Sequence, residues 1–174
     1  MSPSNYQAPT AGDQGTDTKS QSIETNMSST ISTVADLLTK KGSKIISVNT
    51  DNTIDQVINI LTENRIGAVL VTAENGDLIG ILSERDIIRK MDKEADNISS
   101  QIVKDLMTKN VVTCTPADPL NDILQKMTDG RFRHVPVVDD SNTLKGIVTI
   151  GDVVHYRLNE LEYEALRMKQ MIVG

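Results

Sequence analysis

The sequence predicts a mixed α/β (α+β) fold: tandem β-α-β-β-α repeats packed sheet to sheet with pseudo-two-fold symmetry, plus a long C-terminal helix. Three observations carry this. The stretch from Thr33, "TVADLLTKKGSKIISV", resembles "IVKDLMTKNVVTC" from Ile102. Beyond it the two halves run without a gap at a constant offset of 66 residues, pairing Arg65 with Arg131, Leu78 with Leu144, Gly80 with Gly146 and Asp86 with Asp152. Third, the apolar positions of each half alternate between strand and helix periods in the same order.

Within each copy a short apolar strand comes first, Lys44–Val48 and Asn110–Cys114. A helix follows, with Asn52 and Asp118 as expected N-caps and Thr53 and Pro119 at the first helical position, where proline's missing N–H costs nothing. Val57, Ile58 and Leu61, then Ile123, Leu124 and Met127, give the spacing of one buried helix face. Two strands come next, Ile66–Thr72 with Leu78–Leu82 and Phe132–Val138 with Leu144–Val148. "AENGD" and "DDSNT" supply the turns between them. A second helix starts at Ser83 or Thr149. A unit of about 55 residues is too small to bury a good core alone, so the copies are expected to pack on each other. The predicted organisation is a tail over 1–30, repeat one over 31–95, repeat two over 96–158 and a helical extension over 159–174.

The tail is rich in Ser, Thr, Gln, Gly and Asp and almost without aliphatic residues, the composition of a segment that cannot offset its ordering entropy. The last helix, by contrast, runs from Asp152 without Gly or Pro until Gly174. Val154, Leu158, Leu161, Ala165, Met168 and Ile172 fall at alternating steps of four and three, and most charges lie off that line. The stripe outlasts the repeat that could cover it, so a homodimer through Val154, Leu158, Leu161 and Met168 is expected, ahead of a helix lying on its own copy.

Composition excludes several functions. A net charge of −6 argues against a general nucleic-acid or anionic-membrane surface. No apolar run approaches the roughly 18 residues that span a bilayer, and the single cysteine allows no internal disulfide; a cytoplasmic location is expected. The two histidines, His134 and His155, and Cys114 form no nucleophilic triad pattern. No metal-ligand cluster stands out, and "KKGSK" lacks the spacing of a phosphate-binding P-loop. An enzyme is not expected, and no catalytic cofactor.

The remaining chemistry lies in "GILSERD" and its echo "GIVTIGD". Ser83-x-x-Asp86 and Thr149-x-x-Asp152 are capping boxes by pattern. A carboxylate is also the natural acceptor for a cis-diol, and free helix N-terminal amides suit an oxygen-rich, anionic ligand. The strand "RHVPVVD" of copy two adds Arg133 and His134, where copy one has Gly67 and Ala68. Conversely copy one carries Arg85 where copy two has Gly151. Arg89, Lys90 and Lys126 are expected on a solvated face.

From Thr33 to Leu158 this pattern resembles a CBS-domain pair, a Bateman module, of the small stand-alone bacterial kind. The resemblance implies a regulatory sensor of adenosine ligands (AMP, ADP, ATP, NAD(H) or S-adenosylmethionine), bound in clefts between the copies. It implies that Asp86 and Asp152 hold ribose hydroxyls, and that Ser83 and Thr149 face ribose or α-phosphate. Arg133 and His134, with Arg85, would meet phosphate. Ile46 and Val112 would flank adenine, and Gly67 and Ala68 would leave room for it. Two unlike sites are expected, with signalling to a client protein. The rival reading is a ligand-independent scaffold in which the Ser/Thr-x-x-Asp motifs only cap helices.

Overall fold

A computed structural model of the chain describes residues 32–92 and 95–173. The expected tail over 1–30 lies outside the described residues. The elements are α1 (Val34–Lys41), β1 (Ser47–Val48), α2 (Ile54–Asn64), β2 (Ala68–Thr72), β3 (Leu78–Ser83), α3 (Glu84–Met91), a 3₁₀ turn (Ala95–Ser100), α4 (Val103–Leu106), α5 (Leu120–Gly130), β4 (His134–Val138), β5 (Leu144–Thr149) and α6 (Ile150–Val173).

Internal symmetry is visible in the ladders. β2 and β3 pair antiparallel from Ala68–Ser83 to Thr72–Leu78, and β4 and β5 pair from His134–Thr149 to Val138–Leu144. Each partner is displaced by 66 residues, and each ladder shifts register at the same place, after Val71 and after Val137. The hairpin turns match too: Gly76 and Asn142 both take positive φ, at 88° and 61°, which glycine and asparagine tolerate best. α2 and α5 have 11 residues each and end on Arg65 and Arg131 in left-handed conformation.

Three expectations are corrected. The first strand of copy one shrinks from Lys44–Val48 to Ser47–Val48, which pairs parallel with β2. In copy two only Cys114 makes such a pairing, to Val137, because Asn110–Val112 turn outward to line a cavity. The helix caps move by one residue. Thr53, in extended conformation, caps α2 through a capping box with Gln56, while the Asn52 carboxamide oxygen accepts from the Asn49 amide instead. Pro119 occupies the cap position of α5, and Asp118 accepts from the Thr115 amide.

A helix that the apolar periodicity did not reveal, α1 or α4, precedes each copy, and these two helices are exchanged. Val34 and Leu37 of α1 are buried with Leu120, Ile123, Met127, Val135 and Val148 of copy two. Val103 of α4 is buried with Val48, Ile54, Val57, Val69 and Leu82 of copy one. Backbone bonds fasten both exchanges: Val34 N to Asp118 O at 3.0 Å and Leu120 N to Ser32 O at 2.9 Å, against Val103 N to Asn52 O and Ile54 N to Gln101 O, both at 2.9 Å. Each core is thus closed by the leader of the other copy.

The glycine ahead of each Ser/Thr-x-x-Asp motif now has a packing reason. A Cβ on Gly80 would stand 2.7 Å from Met107 Sδ and 3.1 Å from the Thr108 carbonyl oxygen. A Cβ on Gly146 would stand 3.1 Å from Leu38. The exchanged leader crosses the strand at that point.

The root of α6 is buried by Val153 and pinned by Arg157, which bonds both Asn121 and Glu160. Ser32 donates to Glu160, and Lys40 stands over the Tyr156 ring at 4.2 Å. From Leu161 through Ile172 every residue is exposed. Among the described residues no helix is long and apolar enough to cross a membrane.

Candidate ligand-binding cleft

The exchange brings α3 of copy one against the α4 and α5 connections of copy two, and a cavity of about 230 Å³ opens between them. Ser83, Arg85 and Asp86 line it from copy one; Val112, Arg133 and His134 line it from copy two. Six sequence-predicted site residues from two copies therefore face one space. Asp86 Oδ2 accepts the Ser83 amide at 3.0 Å and the Ser83 hydroxyl at 2.5 Å, at the start of α3. Arg85 reaches across the copies and donates from Nη1 to the Arg131 carbonyl oxygen at 2.9 Å.

Gly67 also lines the cavity, but it does not leave the expected empty room. The space beside its α-carbon is taken by the His134 ring, at 3.4 Å from an ideal Cβ, and by Glu84 Oε2 at 3.5 Å. Ala68 is buried in the β2–β3 ladder. Ile46 packs against the core of copy one, its carbonyl accepting from the Leu70 amide. Neither Ala68 nor Ile46 reaches this cavity, and neither do Thr149 and Asp152.

The cavity also contains groups that the sequence reading passed over. Ile81 and Phe132 add apolar wall beside the half-exposed Val112, and Thr108 and Asn110 add polar groups. Arg89, expected on a solvated face, stands on the cavity wall. Arg131 is there because α5 ends in a left-handed residue that turns the chain into the cleft. Its place in the repeat, opposite Arg65, was the one signal available.

The second motif is built alike but engaged differently. Asp152 Oδ2 accepts the Thr149 amide and hydroxyl, both at 2.8 Å, and the Lys41 ammonium at 2.5 Å. Burial pushes the Asp152 carboxyl up, but the hydrogen bonds from Lys41 and Thr149 outweigh it and hold the group below the usual aspartate value.

Burial lowers the His134 pKa, and Arg133 beside it lowers it further; Glu84 and Asp152 oppose the shift and Lys41 adds to it. Burial first, and Asp118 second, push the Cys114 thiol up to about 12, well above the range of reactive thiolates. Among the described residues no group of three or more His, Cys, Asp or Glu could hold a metal ion.

A duplicated α/β module, its halves locked by exchanged leader helices and sharing a cleft, is the class that fold and site define. The chain belongs to the CBS-domain family: the model of the CBS domain matches residues 34–93 and again 103–159. Among solved structures it is similar to the CBS-domain containing protein ATU1752 of Agrobacterium tumefaciens. That likeness has 40% identity and a TM-score of 0.70 over 72% of this chain and 99% of the other. It is also similar to the CBS domain pair of protein MJ0100, solved in complex with 5′-methylthioadenosine and S-adenosyl-L-methionine. There the identity is 27% and the TM-score 0.67, over 75% of this chain and 98% of that one. The mitochondrial CBS domain-containing protein CBSX3 of Arabidopsis thaliana is 36% identical over 116 residues, 64% of this chain and 56% of that protein. The chain thus spans little more than half the length of that relative. CBS pairs are in general regulatory modules that bind adenosine ligands.

Proposed function

We propose that this chain is a regulatory sensor that binds an adenine mononucleotide in the cleft between α3 and the α5–β4 connection. The observation behind this reading is the composition of one small cavity. A carboxylate and hydroxyl at a helix start, apolar walls, and the guanidinium-bearing residues Arg85, Arg89, Arg131 and Arg133 all line it. Carboxylate and hydroxyl suit a ribose diol; Ile81, Val112 and Phe132 suit a base; clustered guanidiniums suit phosphate. The adenosyl ligands of the MJ0100 pair carry no phosphate, so they support the base and ribose positions alone. At about 230 Å³ the cavity lies below the roughly 300 Å³ at which drug-sized pockets begin, which favours AMP over NAD(H).

Ligand binding then favours one relative orientation of the two copies, and a client protein reads that orientation. The exposed stripe of Val154, Leu158, Leu161 and Met168 joins two chains into a homodimer, because a continuous line of large apolar side chains left in water marks an interaction face.

One observation favours the scaffold reading: in both copies the acidic side chain already bonds its own hydroxyl residue as a cap partner. Isothermal titration with AMP and with adenosine separates the two. Asp86→Ala is expected to weaken AMP binding about 10- to 100-fold, the worth of a hydrogen-bonded charged group. Arg133→Ala should weaken AMP and leave adenosine unchanged. An Asp86→Ala chain that loses stability by about 1 kcal/mol, as a lost cap would, with no change in AMP affinity makes the motif a cap only.

A further inference from the structure

The two Ser/Thr-x-x-Asp motifs are not equally available, and the cause is a local difference in chain length. Val34 and Val103 stand 69 residues apart, whereas Ile46 and Val112 stand 66 apart, so the connection after α1 is three residues longer than the one after α4. The shorter connection leaves its helix at once. α4 ends at Leu106, Met107 is extended, and Thr108 pairs with Ile81 through bonds of 2.9 and 3.1 Å. The longer one lets α1 run through Lys41 and stop on Gly42, whose φ of 84° suits glycine. Lys41 therefore occupies the last helical turn, where a cation also meets the negative end of the helix dipole. Its ammonium lands on Asp152 Oδ2 at 2.5 Å, and both side chains are about three-quarters shielded, at 27% and 26% exposure.

The lysine is also held from behind. The capping box of Thr33 with Asp36 fixes the start of α1, and the Ser32–Glu160 bond and the Lys40–Tyr156 contact hold the helix against α6. Little further ordering is then needed to aim Lys41 at the carboxylate. In copy one the matching carboxylate, Asp86, faces the cavity with its own Ser83 as hydrogen-bond partner.

We propose that Lys41 is a resident partner of the second motif: it holds the carboxylate that a ribose would need and limits each chain to one nucleotide, at the Asp86 cleft. This rests on the nucleotide reading given above. Ribose hydroxyls are neutral donors, and displacing an ammonium would exchange a charge-assisted bond for weaker ones. The depressed Asp152 carboxyl agrees with that occupancy.

The test uses the full chain. Titrated with AMP, wild type is expected to bind one molecule, about 10- to 100-fold more weakly in Asp86→Ala. Lys41→Met, which keeps an apolar stem, is expected to bind two, and Lys41→Met with Asp152→Asn to return to one. A wild-type stoichiometry of two, a Lys41→Met stoichiometry of one, or weaker binding in Lys41→Met overturns the proposal while leaving the nucleotide reading in place. No AMP binding by either form removes both. A ligand-free arm stands apart from nucleotide altogether. In a carbon-detected carboxyl titration, Lys41→Met should move the Asp152 midpoint upward. An unmoved Asp152 shows that the contact does not form in solution.

Discussion

His134 stands where charges from both copies converge: Arg133 is beside it, and Glu84 of α3, which like the His134 ring borders Gly67, lies within electrostatic reach together with Asp152 and Lys41 of the second motif. With its folded pKa below the ordinary histidine value of about 6.5, the unfolded chain binds the proton first as pH falls. Stability is therefore complete above about pH 6.5 and declines as pH drops from there through the folded pKa. Urea midpoints measured from pH 8 to pH 5 should fall for wild type and flatten across that window in His134→Ala. A variant curve that parallels wild type would assign the loss to other groups. Asp152 and Glu160 are shifted below ordinary carboxylate values and titrate lower still, outside the histidine window. An anionic ligand would draw His134 back towards its charged form, so nucleotide binding should take up protons near neutrality. Sequence alone placed Arg133 and His134 beside each other and opposite Gly67 and Ala68, but nothing in it said that His134 would fill the space Gly67 leaves. That contact depends on how the two copies pack on each other.

At the scale of elements, the exchanged leaders decide which glycines can change. Gly80 faces Met107 and, more stiffly, the Thr108 carbonyl oxygen, which is itself tied to Ile81. Gly146 faces only the end of Leu38, which can turn aside. Gly80→Ala should thus cost about 1–3 kcal/mol of stability, as overpacking does, and Gly146→Ala clearly less; chemical denaturation of the two variants gives the comparison. Equal costs would mean that the Thr108 strand contact gives way as easily as a leucine side chain. Strands β2 to β5, helices α2, α5 and the helix starts at Ser83 and Thr149 were all legible, because burial on one face writes a period into the sequence. The leaders were legible only as a repeat. Val34, Leu37 and Val103 announce an apolar face but not whose core receives it, and partner choice between two similar copies is a matter of connection length. The three extra residues after α1 belong to the same problem. They are plain in the sequence, yet their effect on Lys41 needs the helix to be seen ending at Gly42.

For the whole molecule, α6 divides into a rooted half and a free half. Val153, Tyr156 and Arg157 hold it to copy two, and from Leu161 onward it touches nothing that would hide Leu161, Tyr163, Leu166 or Met171. Deleting residues 161–174 removes no core residue. By sedimentation the shortened chain should be a monomer where the full chain is a dimer, with thermal unfolding no longer dependent on protein concentration. A shortened chain that still dimerises would move the interface elsewhere, and a monomeric full chain would remove it. The closed cores carry a different implication, for the order in which the protein is made. Copy one's core needs Val103, so its strands and helices leave the ribosome before the residue that seals them has been synthesised. α1 emerges ahead of both cores, yet its seat on Leu120 and Ile123 appears some 85 residues later. Neither copy can finish alone during translation: the N-terminal helix must wait unpaired, and both halves close only once the second is out.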